Sequence, residues 1–212
     1  MPKRRKAPRV RAPDRTRARL LLAAFEEIYR HGFQAASLDA ILTRAGVTKG
    51  ALYHHFPDKA ALGCAVVDEL IMGAVLDRWL LRLEPGSDPV TALQKTLRHR
   101  ASSVTPREAI LGCPLNNLAQ EMSPLDERFR VRINGTFTAW RDGFARALAR
   151  GQREGVIRPD VDARKIAAFL VASVEGSYGV AKSAGSRAML RASFETLATF
   201  LDGLRPTTYQ QY

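Results

Sequence analysis

Between Arg44 and Lys59 the chain gathers side chains and backbone groups suited to holding a polyanion. Thr48 is a helix-capping residue, and after it Lys49-Gly50-Ala51 sets one cation and two small residues at a helix N-terminus. The positive end of a helix dipole faces anions there, and small residues let the backbone approach phosphates and base edges closely. Leu52 and Phe56, four residues apart, would pin this helix to its domain and leave Tyr53, His54 and His55 off that face. Arg44 is the leading choice for a bidentate contact to guanine. The surface of Lys49, Gly50 and Ala51 comes next, because small residues can meet a thymine methyl. The chemistry is DNA recognition, with affinity from phosphates and sequence choice from base edges. The plainer reading has Tyr53 filling a seam between helices, His54 and His55 as solvated helix residues, and Arg44 paired with Asp39 or Glu26.

The elements that must position these groups are helices. Leu38, Ile41, Leu42 and Ala45 share one helical face, and Ala45-Gly46-Val47 supplies a small residue, a flexible turn residue and a core plug. Two short helices around a tight turn follow, the grammar of a helix-turn-helix. A first helix is expected from Thr16 to His31, with Leu21, Ala24, Phe25 and Ile28 as its apolar stripe and Gly32 as its stop. After Pro57, Asp58 caps a long helix expected from Lys59 to Leu83, the mechanical link into whatever follows. The run Glu84-Pro85-Gly86-Ser87-Asp88-Pro89 is a turn. Further helices are expected over Val90 to Ser103, Pro106 to Glu121 with irregularity at Gly112 and Pro114, Pro124 to Gly151, Ala163 to Ser183, and Ser186 to Leu204. No strand pattern or internal repeat is found, so the fold class is all-α.

From about Thr16 to Leu62 these residues resemble the N-terminal DNA-binding domain of TetR-type (TetR/AcrR) transcriptional regulators. The resemblance rests on Leu21-Leu22-Ala23-Ala24-Phe25, His31-Gly32-Phe33, Ser37 with Ile41, the run Ala45 to Phe56, and Asp58-Lys59 with Leu62. Leu42 departs from it, standing where the family usually has alanine. The resemblance implies a homodimer with a helix-turn-helix domain and a variable C-terminal helical domain that binds an inducer and carries the dimer interface. It implies a repressor bound to a palindromic double-stranded DNA operator. It also makes Thr48, Tyr53, His54 and Lys59 phosphate-positioning groups, with Ser37 reaching a phosphate from the first reading helix.

Charge points the same way. The formal net charge is +12, and the sequence pI is about 10.4, a balance that favours a polyanionic partner. Residues 1–20 hold nine basic residues against Asp14 alone, a net of +8. Pro2, Pro8 and Pro13 break that segment, so residues 1–13 read as a disordered basic arm, either adding phosphate contacts or serving as a solubilising tail. The expected organisation is that arm, a DNA-binding domain over 14–60, an effector and dimerisation domain over 61–205, and a tail over 206–212. No apolar run follows the N-terminal charges or approaches the roughly 20 residues of a membrane span, so a cytoplasmic location is expected. His54-His55 are adjacent, His31 and His99 isolated, and Cys64 and Cys113 without close partners, so no metal or other cofactor is expected. With no glycine-rich phosphate loop and no serine elbow, an enzyme is not expected. A nonspecific architectural DNA binder is the other alternative.

The expected effector region centres on Leu111-Gly112-Cys113-Pro114-Leu115-Asn116-Asn117-Leu118-Ala119-Gln120-Glu121. Gly112 and Pro114 loosen a helix, and the amides offer donors and acceptors to a ligand. A Gly-Cys before an Asn-bearing helix is also similar to the C-terminal domain of some TetR-type regulators that respond to electrophiles or oxidants. Cys113 is then a sensor, or else an inert small hydrophobe. Phe137, Trp140 and Phe144 recur at helical spacing, as core residues usually do. Because the family's C-terminal core is also its ligand cavity, Cys113, Asn117, Phe137, Trp140, Phe144 and Tyr178 are taken as the ligand set, for an apolar or aromatic inducer. Two stripes, one of Ile166, Leu170 and Val174 with Ala167, Ala172, Gly176 and Gly179, the other of Leu190, Phe194, Leu197, Phe200, Leu201 and Leu204, would form a four-helix dimer interface or pack inward on their own subunit.

Overall fold

The computed structural model describes residues 12–83 and 86–206. All but the last two residues of the expected basic arm, and all but the first of the expected C-terminal tail, lie outside that range. The described residues are helical throughout, with turns between: α1 (Ala12–His31), α2 (Leu38–Ala45), α3 (Lys49–His55), α4 (Lys59–Val66), a π-helical segment (Val67–Ile71), α5 (Met72–Leu80), α6 (Pro89–Ser103), α7 (Pro106–Leu111), α8 (Pro114–Met122), α9 (Glu127–Arg153), α10 (Ala163–Ala184), α11 (Arg187–Phe200) and a 3-10 turn (Leu201–Leu204). Two compact units divide the chain, one ending at Leu70 and the other beginning at Ile71.

In the first unit α1 is the scaffold on which α2, α3 and α4 pack. Its buried face is Leu20, Leu21, Ala23, Ala24 and Ile28, while Phe25 is half-buried and stacks on Tyr29. The helix starts earlier than the expected Thr16, with Pro13 in its first turn, where a proline costs no hydrogen bond. Ile41 and Ala45 of α2 and Leu52 of α3 close the core with Phe56 and Leu62. Gly46 adopts φ 59° and ψ 44°, and the Gly46 and Val47 N–H groups return to Thr43 and Leu42 carbonyls at 3.1 and 3.2 Å. This left-handed cap ends α2 within one residue and turns the chain into α3.

The expected single helix from Lys59 to Leu83 is interrupted and shorter. Val66 and Val67 are both fully buried where the α-helix ends. A wider π-helical turn, Val67–Ile71, follows. At the far end the helix stops at Leu80, and the Arg150 guanidinium donates to the Leu83 and Ser87 carbonyls at 3.2 and 2.9 Å.

The second unit is a helical bundle in which α11 packs on α6, and α9 on α10, α5 and α8. Buried Gln94 clamps α6 to the chain's end, its amide donating to the Ala198 carbonyl at 2.9 Å and to Asp202 at 2.7 Å. The helix expected over Pro106 to Glu121 is two helices. Gly112, at φ 77° and ψ −161°, breaks it, and Pro114 begins α8. The α9 helix begins at Glu127 rather than Pro124, because Asp126 caps it by accepting the Arg128 N–H at 2.8 Å.

Candidate nucleic-acid interface and effector site

Local capping chemistry sets both reading helices. The Ser37 hydroxyl accepts the Ala40 N–H at 3.3 Å, opening α2, and the Thr48 hydroxyl accepts the Ala51 N–H at 3.2 Å, opening α3. Each keeps its own O–H available to donate outward. Lys49 and Gly50 are exposed beyond the cap, Ala51 is half-buried, and a Cβ added at Gly50 would meet only the Thr48 hydroxyl at 4.0 Å. Leu52 is fully buried and Tyr53 is 46% exposed, so the phenol stands in solvent instead of the seam. His54 is exposed beside His55, the rings 5.1 Å apart and edge to face.

Arg44 is exposed at the end of α2, and among the described residues it has no ion pair. Glu26, one of its expected partners, pairs with Arg30 at 3.6 Å. Lys59 has work inside the unit: its ammonium donates to the Gln34 carbonyl at 3.0 Å and lies 4.9 Å from the centre of the Phe33 ring. Two further cations brace this unit and were not singled out from the sequence. Arg17 pairs with Glu69 while covering the Phe56 ring, and Arg19 donates to the Gly46 carbonyl at 2.9 Å, behind the turn. Their only sequence signal is position on the first helix.

In the second unit Phe137, Trp140, Phe144 and Tyr178 of the expected ligand residues join one aromatic cluster, while Cys113 and Asn117 have other neighbours. Trp140 is fully buried, stacked on Trp79 at 5.2 Å and on Phe137 at 6.5 Å, with Phe144 edge-on at 5.9 Å. Trp79 continues to Phe194 at 6.2 Å, and Phe194 to Tyr178 at 5.6 Å. The Trp140 indole N–H is buried with no hydrogen-bond partner among the described residues. Asn117 is otherwise engaged: its amide donates to the Leu111 carbonyl at 2.7 Å and accepts from Lys182 at 3.1 Å, tying the broken helix to α10.

Cys113 is buried at the N-cap of α8 beside Glu175 of α10. Burial, and then the Glu175 charge, push the thiol well above its ordinary pKa. Burial also pushes the Glu175 carboxyl up to about 7, against the opposing pull of the Cys113 thiol and the Arg78 charge. Neither Glu175 oxygen has a hydrogen-bond partner among the described residues. One turn along, the Tyr178 hydroxyl accepts from Arg100 at 3.1 Å, and Arg100 pairs with Glu108 at 2.6 Å. Burial opposes the Arg100 charge, but Tyr178 and Glu108 outweigh it and hold its pKa above the ordinary value. Sequence reading missed Glu175 and Arg100. The signal for Glu175 was available, since it interrupts the inward stripe of Leu170, Val171, Val174, Tyr178 and Ala181.

Among the described residues no helix is long and apolar enough to cross a membrane, and no group of three or more His, Cys, Asp or Glu could hold a metal ion.

Residues 20–66 match the family described as "Bacterial regulatory proteins, tetR family", and residues 89–197 match "Tetracyclin repressor-like, C-terminal domain". The chain is 30% identical over 170 residues to the transcriptional regulator AcuR of Cereibacter sphaeroides, covering 78% of this chain and 77% of that one. It is 30% identical over 147 residues to the transcriptional repressor DhaR of a Mycobacterium species, covering 69% and 72%. A TetR transcriptional regulator of Chloroflexus aurantiacus superposes with a TM-score of 0.80 at 26% identity, over 92% of this chain and 98% of that one. A capped reading helix on a three-helix scaffold, followed by a separate helical bundle, thus comes with matches to both halves of one family: the chain belongs to the TetR family of DNA-binding transcriptional regulators and is not an enzyme.

Proposed function

We propose that this protein is a homodimeric, sequence-specific repressor that leaves a palindromic operator when a small molecule binds its second unit. The observation that carries the DNA half is the outward face of α3, where Lys49, Gly50, Tyr53 and His54 are exposed around a helix N-terminus that Thr48 caps. Thr48, Tyr53, His54, Ser37 and Lys59 hold phosphates. Arg44, Lys49 and the Gly50-Ala51 surface read bases. Two protomers would place their reading helices in half-sites about 34 to 36 Å apart, or a multiple of that.

The dimer forms through α10 and α11. Ala168, Phe169, Ala172, Gly176, Gly179 and Val180 make an exposed apolar and small-residue stripe on α10, joined by Met189, Ala192 and Phe200 on α11. The inward faces of the same helices, Leu170, Val174, Leu190 and Phe194, are occupied by the protomer's own core. A Cβ at Gly176 or Gly179 would meet nothing within 4 Å, so the protomer's own packing does not call for glycine there. A second copy approaching closely does.

The inducer site is built from Cys113, Phe137, Trp140, Phe144 and Tyr178, with Asn117 at its edge. The unpartnered Trp140 N–H and Glu175 carboxyl support it, as buried polar groups that a ligand would satisfy. An inducer releases DNA only by binding the DNA-free state more tightly, and the run from Lys59 to Leu80 is the covalent route by which the two units are coupled. A thiol-sensor mechanism is not favoured, because a buried thiol beside a carboxyl stays protonated and unreactive.

Binding-site selection on the wild type, Arg44→Ala and Lys59→Ala tests the reading. A palindrome is expected from the wild type. Arg44→Ala should lose preference at one base position, at a cost of about 1 to 3 kcal/mol, while Lys59→Ala weakens all sequences alike. Selection that returns no palindrome, with affinity following salt alone, would leave a nonspecific DNA binder.

A further inference from the structure

We propose that the groove between α5 and α6 is a binding site for a small organic monoanion, a carboxylate, recognised by Arg78, Arg82, His99 and Arg100. The groove has a volume of about 350 Å³, and these four side chains line it with Ala74 and Leu81 as apolar walls and Asp77 as its one acid. None of the residues assigned above to the inducer core lines it.

Arg100 is what makes this a built site rather than a solvated basic surface. It is only 8% exposed, and its terminal nitrogens are held by Ser103 at 3.3 Å, Glu108 at 2.6 Å and Tyr178 at 3.1 Å. Its Nε–H is buried and has no partner among the described residues. Those three bonds fix the guanidinium plane, so Arg100 lines the groove as a preorganised positive charge. Arg78 on α5 and Arg82, two residues past its end, are exposed and form no ion pair among the described residues, so both can close over a ligand as planar forks that match a carboxylate.

The charge balance selects a monoanion. Glu108 compensates Arg100, and Asp77 offsets one of the other two arginines. One positive charge is left over before any contribution from His99. The volume lies near the lower end of the range for small-molecule sites, and Ala74 and Leu81 offer apolar contact to a short organic body that an inorganic ion would leave unfilled.

Occupancy of the groove would act on the core through two residues. Arg100 holds the Tyr178 hydroxyl, and the Arg78 charge acts on both Glu175 and Tyr178. An anion that draws on these guanidinium groups changes the polar contacts of α10 from within the unit. Only this regulatory consequence rests on the repressor reading; the binding site itself does not.

The test uses the full chain at constant ionic strength, with butyrate and benzoate each paired with its uncharged amide, and inorganic phosphate as a third probe. Binding is read by calorimetric titration and by ligand-dependent shifts in Tm, without DNA. The expected result is that both carboxylates bind at least tenfold more tightly than their amides, that phosphate binds more weakly than either, and that Arg78→Gln removes the preference. Amides binding as well as carboxylates, phosphate binding as well as either, or an unchanged preference in Arg78→Gln would each overturn the site. Arg78 is exposed, so this variant folds where a change at buried Arg100 would not be safe to interpret. The same carboxylates are then titrated against the selected operator. Release in the wild type but not in Arg78→Gln supports the effector role. Binding with no change in operator affinity overturns that role alone, and failure to select an operator overturns the repressor reading while leaving the direct binding result standing.

Discussion

Glu175 is a costly residue in this chain. A carboxylate buried without hydrogen bonds pays for desolvation with little return, and protonation is the cheaper state. The folded protein therefore holds the Glu175 proton up to about pH 7, whereas the ordinary value for the group is 4.5. Between these values the folded state binds more protons than the unfolded chain, so stability falls as pH rises from about 5 to 7 and stays lower above that. The loss is on the order of 3 kcal/mol. Glu175→Gln should remove this dependence and be more stable than the wild type at pH 8, as urea unfolding across that range will show. Gly50 makes the opposite argument, because its smallness serves nothing within the protomer. Gly50→Ala should raise stability by about 0.5 to 1 kcal/mol through the unfolded chain's lost freedom. A bulkier Gly50→Gln should keep Tm but weaken DNA binding in a gel shift, and unaltered binding would remove α3 from the interface.

At the scale of elements, the breaks matter more than the helices. Gly112 adopts a conformation essentially closed to other residues, and a Cβ there would sit 3.2 Å from the Lys182 side chain and 3.4 Å from the Asn117 carboxamide oxygen. Gly112→Ala should cost about 1 to 3 kcal/mol, read as a lowered Tm, because the backbone that separates α7 from α8 has no unstrained alternative. Helix existence was legible because caps and periodicity are local: Thr48 and Asp58 each begin a helix by accepting an N–H three residues ahead. The breaks at Val67–Ile71 and Gly112 were less so. A Gly-Cys-Pro run signals irregularity at the second, nothing in the sequence marks the first, and the form of each depends on what packs against it.

The whole molecule is decided by faces that the protomer leaves uncovered. The α10 stripe around Gly176 and Gly179 was legible as small residues at helical spacing, yet periodicity alone could not say whether it faced inward or outward. Burial of the neighbouring Leu170 and Val174 by their own subunit leaves the glycine side outside. Gly176→Phe should therefore convert dimers to monomers in sedimentation equilibrium while far-UV circular dichroism stays unchanged. A dimer that survives this change is formed elsewhere. Along the chain, sequence by itself determined the all-helical class and the helix-turn-helix with its candidate DNA contacts, since these depend on hydrophobic spacing, capping residues and a left-handed glycine, all within a few residues of one another. Only the tertiary structure brought Arg100 against Tyr178, 78 residues away, and set Glu175 beside Cys113, 62 positions earlier. Such pairings come from how separate helices pack around one core, and no local pattern encodes which charged side chain of one helix will be buried against another.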